Sequence, residues 1–385
     1  MHSLTSFAAV LCVSVWLYLL LARGGFWRVE RLRAEVPEIV APGRIAVVIP
    51  ARNEADVIGQ SVSSLLAQSC VDAMHIFVVD DNSTDGTAAA AQEAARKCSS
   101  PEALTIIPGQ PLPPGWSGKL WAVQQGIEQA LLTRPQFLLL TDADVYHSPQ
   151  NVSTLATLAE IGGYDLASFM VKLHCQSFAE KLLIPAFVFF FFMLYPPEWI
   201  RSPRHKTAGA AGGCMLIRPA ALERAGGIGA IRHEIIDDCT LAAAVKRSGG
   251  KVWLGVTPDT FSLRNYGWFA EIERMIARAA FNQLRHSAWL LVCALVGLAL
   301  VYVLPVALLF SGAQSLMVAG VLAYSLMLAS YLPLVRFYGL NVLWALTLPL
   351  SAVFYMMATV HSAVKFWSGR GGDWKGRTQD VRKSE

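Results

Sequence analysis

Two aspartates, Asp142 and Asp144, follow the wholly apolar run Phe-Leu-Leu-Leu at residues 137–140. A short apolar run of this kind is typical of a buried parallel strand, and open α/β sheets bind ligands at the carboxyl ends of their strands. Carboxylates one residue apart can offer oxygen ligands to a divalent cation that completes its shell with water and phosphate. The spacing therefore indicates a metal-diphosphate site. The alternative is an Asx turn that closes the strand.

Polar side chains also follow two earlier apolar runs, at residues 45–49 and 75–79. The residues concerned are Pro50, Arg52, Asn53 and Glu54 after the first run, and Asp80 and Asp81 after the second. Both groups fall where a doubly wound sheet has its ligand crevice, and a carboxylate there can accept a hydrogen bond from a base or a ribose hydroxyl. Helix capping is the alternative for residues 80–87. It explains one or two of these residues, but not two consecutive acids.

Lys119 follows a glycine at the predicted start of a helix. A Walker loop would need a glycine five residues before Gly118 and a Ser or Thr after the lysine. Those positions hold Pro113 and Leu120, which argues against ATP hydrolysis of the P-loop kind. Lys119 can still contact a diphosphate, with the helix dipole adding to its charge. A solvated lysine is the alternative.

The elements that must position these residues alternate regularly between strand and helix. The pattern predicts strands at 45–49, 75–79, 104–107, 137–140, 165–171 and 252–255, and helices at 56–67, 84–97, 119–132 and 239–248. Residues 209–217 are a small-residue approach to a further strand. Such alternation indicates an α/β domain with a mostly parallel sheet and helices on its faces.

Composition indicates a membrane protein with a soluble middle. Of the 385 residues, 54% are hydrophobic and 16% charged, against about 25% charged in soluble domains. The net charge of +4 is too mild to suggest a nucleic-acid partner. Seven cysteines without a CxxC pair argue against a disulfide framework and a zinc site, and suit a reducing compartment.

Residues 4–22 carry no charge and are long enough to span a bilayer. Basic residues follow this stretch (Arg23, Arg28, Arg31 and Arg33). We therefore expect an uncleaved anchor whose carboxyl end lies in the cytoplasm. Residues 182–195 are too short to cross unaided, and we expect an interfacial or re-entrant helix there.

The carboxy-terminal part predicts a basic amphipathic helix at 267–286 on the lipid surface, then spans at 288–310, 316–335 and 340–360. Three spans would place the tail outside, although it carries Lys365, Arg370, Lys375, Arg377, Arg382 and Lys383. The positive-inside tendency favours a cytoplasmic tail. Either one of these segments is re-entrant, or residues 182–195 do more than rest on the surface.

Four ordered motifs resemble those of family-2 glycosyltransferases. They are Val-Val-Ile-Pro-Ala-Arg-Asn-Glu (47–54), Val-Val-Asp-Asp-Asn-Ser-Thr-Asp-Gly-Thr (78–87), Gly-Lys-Leu-Trp-Ala (118–122) and Asp-Ala-Asp (142–144). The resemblance covers roughly residues 45–266. It implies a GT-A fold and a nucleotide-sugar donor, here expected to be a UDP-sugar. It also implies that Asp80 and Asp81 contact the nucleoside and that Asp142 and Asp144 hold Mg²⁺ or Mn²⁺ on the diphosphate.

The same family carries a downstream Glu-Asp pair whose Asp is the general base. Here the match is Asp237-Asp238, with Asp237 where Glu is usual, so the resemblance implies Asp238 as the base. An N-cap for the following helix is the alternative. Burial beside Asp237 would raise the pKa of Asp238 and favour proton abstraction from a sugar or lipid hydroxyl.

Polymerising members carry Gln-x-x-Arg-Trp, and the nearest match, residues 271–275, keeps only Arg274. That departure argues against processive polysaccharide synthesis. Arg274 or Arg278 is expected to meet the leaving diphosphate, or else to be a surface or lipid-headgroup charge. Within the family, the layout most resembles the hopene-associated glycosyltransferases. This resemblance implies an inverting transfer to a lipid hydroxyl at the cytoplasmic face of a bacterial inner membrane.

The predicted organisation has six parts. They are an anchor at 1–23, a juxtamembrane linker at 24–43, a GT-A domain at 44–266 with an interfacial segment at 181–200, an amphipathic interface helix at 267–287, transmembrane helices at 288–364 and a basic tail at 365–385. Alternatives of similar chemistry are a polyprenyl-phosphate or ceramide-type lipid glycosyltransferase and a polysaccharide synthase. The alternative of another class is a non-catalytic scaffold with a vestigial nucleotide-binding fold.

Overall fold

A computed structural model describes residues 2–29, 38–39, 43–369, 373–374 and 377–378. The chain divides into two compact units. The membrane unit, as we call it, comprises Met1–Arg31, Cys175–Glu198 and Tyr266–Gly371; the sheet unit comprises Leu32–His174, Trp199–Asn265 and Gly372–Glu385. Arg31, Arg33, most of the predicted linker and most of the basic tail lie outside the described residues.

The sheet unit contains an eight-stranded sheet in the order β3-β2-β1-β4-β7-β6-β8-β5. Its strands are β1 Ile45–Ala51, β2 Met74–Asp80, β3 Leu104–Pro108, β4 Phe137–Thr141, β5 Val145–His147, β6 Leu166–Lys172, β7 Cys214–Ile217 and β8 Val252–Ser262. β1 pairs in parallel with both β2 and β4, β2 with β3, and β6 with β8. β7 runs antiparallel to β4 and β6, and β5 antiparallel to β8. The sheet is therefore mixed, with a parallel half around β1.

The helices alternate with these strands and then dominate the end of the chain. In chain order they are α1 His2–Leu21, α2 Ile58–Leu66, α3 Thr87–Lys97, α4 Gly118–Leu131, α5 Asn151–Gly162, α6 Phe178–Leu194, α7 Pro197–Arg201, α8 Pro219–Arg224, α9 Asp237–Arg247, α10 Phe269–Gln283, α11 Ala288–Leu298, α12 Leu304–Leu309, α13 Gln314–Phe337 and α14 Leu348–Trp367. The predicted α/β class and the four predicted helices of this domain are confirmed, with small shifts in their ends.

Every residue of β1 and β4 is buried, as wholly apolar parallel strands should be. α4 packs closely on this central pair at Gly126, because a Cβ at that position would lie 2.4 Å from Val48 Cγ1 and 3.0 Å from Val79 Cγ2. The tight packing fixes the start of α4 above the carboxyl ends of β1 and β4. Those ends carry the residues that the sequence singles out.

Two features of the sheet differ from the sequence prediction. β5 and α5 were not predicted, because Val145–His147 has only three residues and α5 begins without a side-chain cap. β7 was expected as a strand, but its antiparallel direction was not. A four-residue strand carries no periodicity that could reveal its direction.

Helices that are long and apolar enough to cross a membrane occur among the described residues at four places: Phe178–Arg201, Ala288–Leu309, Gln314–Phe337 and Val342–Trp367. The described apolar part of α1, Thr5–Leu21, is shorter than these four. The last three correspond to the predicted carboxy-terminal spans. That they cross a bilayer stays a prediction.

The expectation that residues 182–195 are too short to span is wrong. The helix begins earlier, at Phe178, because Ser177 and Glu180 form a capping box, and Pro185 does not end it. α7 follows α6 after two residues, and the helical stretch from Phe178 to Arg201 has 24 residues in total. The interfacial assignment of residues 181–200 was based on the shorter length, so the helix length no longer supports it. The position of this segment at the membrane interface stays a prediction.

The predicted amphipathic helix is α10, and its apolar face is covered by protein. Ile272, Ile276, Ala277 and Phe281 are buried, and the hydroxyl of Ser362 on α14 donates to the Ala277 carbonyl at 2.5 Å. The amphipathic pattern is thus explained by packing on α14, and its lipid contact stays a prediction. α14 runs to Trp367, so Lys365 lies in a helix and not in the tail.

Candidate functional site

The Lys119 ammonium joins two acids from distant parts of the sheet unit. Lys119 lies in the first turn of α4, which the Ser117 hydroxyl caps by accepting from Leu120 N at 3.3 Å. Its Nζ lies 3.0 Å from Asp142 Oδ1 and 3.2 Å from Asp237 Oδ2. Burial lowers the pKa of Lys119, but the charges of Asp142 and Asp237 more than offset this and raise it. The side chain is therefore a fixed cation, not a solvated lysine.

Asp238 lies beside this cluster. Its Oδ2 accepts from Gly212 N at 2.9 Å and its Oδ1 from Cys239 N at 2.7 Å. A Cβ on Gly212 would lie 3.4 Å from Asp238 Oδ2 and 3.6 Å from Lys119 Nζ, which shows how close these two groups are. Burial, and then the charge of Asp237, raise the pKa of Asp238 to about 6. The carboxyl therefore changes charge close to neutral pH, as a general base does.

Asp238 lies at the start of α9 but is not its N-cap residue. The residue at the N-cap of α9 is Ile236, which makes no side-chain cap hydrogen bond, and Asp237 and Asp238 both lie in the first turn. Two negative charges at a helix N-terminus are favoured by the helix dipole. The bond from Gly212 is not part of any cap, because this glycine belongs to the approach to β7.

A second cation, Arg264, pairs with the other aspartate of the Asp-Ala-Asp motif. Its Nε donates to Asp144 Oδ2 at 2.7 Å, and its terminal Nη2 donates to both carboxylate oxygens of Glu54 at 2.8 and 3.0 Å. The backbone supports this contact, since Leu263 N donates to Asp144 O at 2.7 Å. Arg264 was not predicted from the sequence. It lies two residues after β8, which extends to Ser262, whereas the predicted strand ended at residue 255.

The loops after β1 and β2 are bound to each other. Asn53 N donates to Ser83 Oγ at 3.0 Å, and Thr84 N donates to Asn53 Oδ1 at 2.9 Å. Arg52 donates to the carbonyl oxygen of Asp81 at 2.6 Å. The two predicted donor-binding segments are therefore one structural unit.

The acids at the end of β2 differ in exposure, because Asp80 is partly exposed and the Asp81 side chain is only 1% exposed. Asp80 Oδ1 accepts a hydrogen bond from Ser83 N at 3.0 Å. Pro50 lies in β1 and lines a small pocket together with Lys119, Asp142, Gly212 and Asp237. The contact of Asp80 and Asp81 with a nucleoside stays a prediction, as does each assigned role in this site.

Arg274 and Arg278 lie on α10 in the membrane unit, where both are exposed. Arg274 donates to the Ala270 carbonyl at 3.3 Å and lies 4.0 Å from Glu271. Neither contact involves a residue of the sheet unit. Their contact with a diphosphate remains a prediction from the resemblance.

The residues present fit a divalent cation held jointly with a ligand. Among the described residues, no group of three or more His, Cys, Asp and Glu side chains is arranged to hold a metal. Asp142 and Asp144 supply hard oxygen atoms, and Mg²⁺ is commonly bound through one or two carboxylates plus phosphate oxygens. Among the described contacts, five acids (Glu54, Asp142, Asp144, Asp237 and Asp238) lie beside two cationic side chains, Lys119 and Arg264. The excess negative charge favours a cation.

Known proteins resemble this chain over part of its length. Residues 46–226 match the sequence profile of the family described as Glycosyl transferase family 2. An uncharacterized protein of Methanocaldococcus jannaschii is 32% identical over 123 residues, which cover 32% of this chain and 44% of that protein. An undecaprenyl-phosphate 4-deoxy-4-formamido-L-arabinose transferase of Pseudomonas savastanoi pv. phaseolicola is 30% identical over 181 residues, 45% of this chain and 46% of that protein. The chain thus spans less than half the length of each of these relatives.

Among solved structures, a mannosyltransferase from Pyrobaculum calidifontis in complex with GDP-Man and Mn²⁺ is similar over most of the chain. The match covers 94% of this chain and 99% of that one, with a TM-score of 0.55 and 18% identity. At this identity the likeness shows the fold alone. The predicted GT-A-type α/β fold is confirmed.

Proposed function

We propose that the protein, whose residues 46–226 match the profile of Glycosyl transferase family 2, transfers a sugar from a nucleotide-diphosphate sugar to a hydroxyl of a membrane lipid. The observation that carries the proposal is the ion-pair cluster at Lys119. It brings Asp142 and Asp237 within 3.2 Å of one ammonium group, with Asp238 next to them. Acids that could hold a metal-diphosphate and an acid that could serve as base thus share one site.

Each side chain has a role that follows from its position. Asp142 and Asp144 would hold Mg²⁺ or Mn²⁺, and the bound cation would neutralise negative charge on the diphosphate leaving group. Lys119 adds a fixed positive charge at the N-terminus of α4, which suits the developing charge of the leaving group. Asp238 accepts the proton of the acceptor hydroxyl as that oxygen attacks the anomeric carbon. A single displacement of this kind inverts the configuration.

The acceptor is proposed to be a lipid because, in the part of the chain that the structure describes, four helices are long and apolar enough to cross a membrane. A hydroxyl is favoured by Asp238, since a base is needed only where the attacking oxygen carries a proton. A hopanoid-like lipid is the specific acceptor that the family resemblance implies. We place the protein in the bacterial inner membrane, with its sheet unit in the cytoplasm, where nucleotide sugars are available.

A polyprenyl phosphate is the second candidate acceptor, because the relative from Pseudomonas savastanoi is by name an undecaprenyl-phosphate transferase. A phosphate monoester has a second pKa of about 6 and is mostly deprotonated at neutral pH. Attack by such an oxygen would not need Asp238 as a base. The two acceptors therefore predict different effects of one substitution.

The first test uses purified full-length protein in detergent with a panel of UDP- and GDP-sugars. We expect release of nucleoside diphosphate with Mg²⁺ or Mn²⁺ and none after chelation. Asp142→Asn should abolish this release. If neither turnover nor donor binding is found with any nucleotide sugar, the non-catalytic scaffold is the better description.

The second test compares wild type with Asp238→Asn, with donor binding as the control. For a hydroxyl acceptor, the variant should bind donor normally and lose transfer by roughly a hundredfold or more. Retained transfer to polyprenyl phosphate would favour the second candidate. Mass spectrometry of polar lipids from cells with and without the protein would then identify the acceptor.

A further inference from the structure

A chain of three hydrogen bonds runs through the buried sheet directly behind the site. Asn151 Nδ2 lies 3.0 Å from His147 Nδ1, His147 Nε2 lies 3.0 Å from Thr141 Oγ1, and Thr141 Oγ1 donates to the Gly213 carbonyl at 2.7 Å. The three side chains are at most 3% exposed. None of them was singled out from the sequence as a site residue.

The direction of every bond in this chain is fixed by the last one. A carbonyl can only accept, so the single hydroxyl proton of Thr141 must point at Gly213. Thr141 Oγ1 must then accept from His147, which places the ring proton on Nε2. His147 Nδ1 is left as an acceptor and takes the amide proton of Asn151. Burial lowers the pKa of His147 to about 3, which keeps the ring neutral in this tautomer.

This chain ends at the carbonyl of Gly213, the residue next to the glycine whose N–H supports Asp238. Gly213 precedes β7, and its neighbour Gly212 donates its N–H to Asp238 Oδ2 at 2.9 Å. Position 213 cannot accommodate a larger side chain without a shift, since a Cβ there would lie 2.7 Å from Val171 Cγ2.

The two glycines give the loop little side-chain packing of its own. Ser168 Oγ holds the loop at Ala211, where it accepts from Ala211 N at 2.8 Å and donates to Ala211 O at 3.1 Å. The Thr141 hydroxyl holds it at Gly213.

We propose that His147, oriented by Asn151 and acting through Thr141, is a positioning residue that holds the Gly212–Gly213 loop so that the Gly212 N–H points at Asp238. The inference rests on the proposed function, in which Asp238 is the base. It also links the two halves of the site, because Thr141 immediately precedes Asp142. The hydrogen bonds of the His147 ring go to Thr141 and Asn151, so its effect on Asp238 is indirect.

The activity test uses Thr141→Val, which keeps the shape of the side chain and removes the hydroxyl. With the Gly213 carbonyl released, we expect kcat to fall roughly tenfold or more, because small misplacements at reacting groups are costly. KM for the donor should change little. Thr141→Ser keeps the hydroxyl and should restore most of kcat.

The matched control is Thr105→Val on β3. Thr105 Oγ1 lies 2.8 Å from His75 Nε2, so this variant removes a hydroxyl–imidazole bond of the same type on the opposite side of the sheet. It should leave kcat unchanged. An equal loss of kcat in Thr141→Val and Thr105→Val would show a general stability effect and overturn the proposal.

A pH profile separates positioning from simple structural support. The groups that face Asp238 are the charges of Asp237 and Lys119 and the amides of Gly212 and Cys239. Loosening the Gly212 bond removes a stabiliser of the carboxylate, so the acidic limb of kcat/KM should move to higher pH in Thr141→Val. It should return in Thr141→Ser. An unmoved limb in a folded Thr141→Val protein would overturn the proposal.

A measurement without substrate keeps the inference distinct from the proposed function. NMR spectra of protein labelled with ¹⁵N-histidine report the state of each imidazole ring. The signals of His147 are identified as those that Thr141→Val shifts and Thr105→Val does not. They should show a neutral ring protonated on Nε2 from pH 5 to 8. A ring that titrates in this range, or is protonated on Nδ1, overturns the inference whether or not the protein transfers a sugar. Absence of transfer with the expected ring state would count against the proposed function alone.

Discussion

Arg264 Nε lies 2.7 Å from Asp144 Oδ2, although 120 positions separate the two residues. The same guanidinium also contacts both carboxylate oxygens of Glu54. One arginine therefore binds together the loops that follow β1, β4 and β8. Such planar, multiple contacts are specific to arginine, because a lysine ammonium offers only a point charge.

Arg264→Gln should lower kcat/KM roughly tenfold to a hundredfold, the usual loss when a partner of a metal-ligating carboxylate is removed. Arg264→Lys should recover only part of it. Arg224→Gln is the matched control, since Arg224 pairs with Asp165 at 2.8 Å elsewhere in the sheet unit. Similar steady-state kinetics for Arg264→Gln and Arg224→Gln would contradict this role.

Transfer should depend on pH through Asp238. Its pKa is raised to about 6, so the carboxyl is protonated and unable to accept a proton below that pH. The rate should therefore fall as pH decreases through about 6 and level off above it. The check is a profile of kcat/KM from pH 5 to 8, with donor binding measured at each pH. A flat profile would argue that no base of this kind limits the reaction.

Lys119→Met should weaken donor binding, because the fixed positive charge beside Asp142 is lost. We expect KM for the nucleotide sugar to rise roughly tenfold, which corresponds to about 1.4 kcal/mol. Lys119→Arg keeps a charge at the same place and should be affected less. Titration calorimetry with the nucleoside diphosphate checks this directly, and unchanged affinity in Lys119→Met would exclude a contact with the diphosphate.

Gly126→Ala should destabilise the sheet unit by about 1–3 kcal/mol, since the added methyl would overlap Val48 and Val79. Gly59→Ala on α2 is the control, because a Cβ there meets its nearest atom at an ordinary 3.7 Å. That change should be neutral or stabilising by up to about 1 kcal/mol. Thermal unfolding of both variants in detergent is the measurement. Equal melting temperatures would contradict the close packing of α4.

The sequence was informative where local pattern and chemistry coincide. The apolar run before Asp142 predicted both β4 and an acid at its carboxyl end, and parallel neighbours brought Lys119 to the same edge. Arg264 could not be found in this way, since its partners Asp144 and Glu54 are defined only once β8 has its place in the sheet. Gly212 was seen as part of a small-residue stretch. Its bond to Asp238 depends on the direction of β7, which four residues do not encode.

The length of α6 was underestimated from the sequence because its first turn was not recognised. Counting from Leu182 leaves out the capped first turn at Ser177, and the capping box extends the helix towards its amino end. Similarly, the period of α10 indicated one buried face but not its neighbour. Apolar residues such as Ile276 pack equally well on lipid or on another helix, so only the fold identified α14 as that neighbour.

Because β7 runs against β4 and β6, the segment that leads into it, and not the one that leaves it, reaches the ligand edge of the sheet. This segment is tied to α9, since Lys246 Nζ donates to the carbonyls of Trp199, Ile200 and Thr207. If Asp238 is the base, as proposed, substitutions at the exposed positions 203–206 of this segment are the changes expected to alter acceptor preference with the least effect on the sheet.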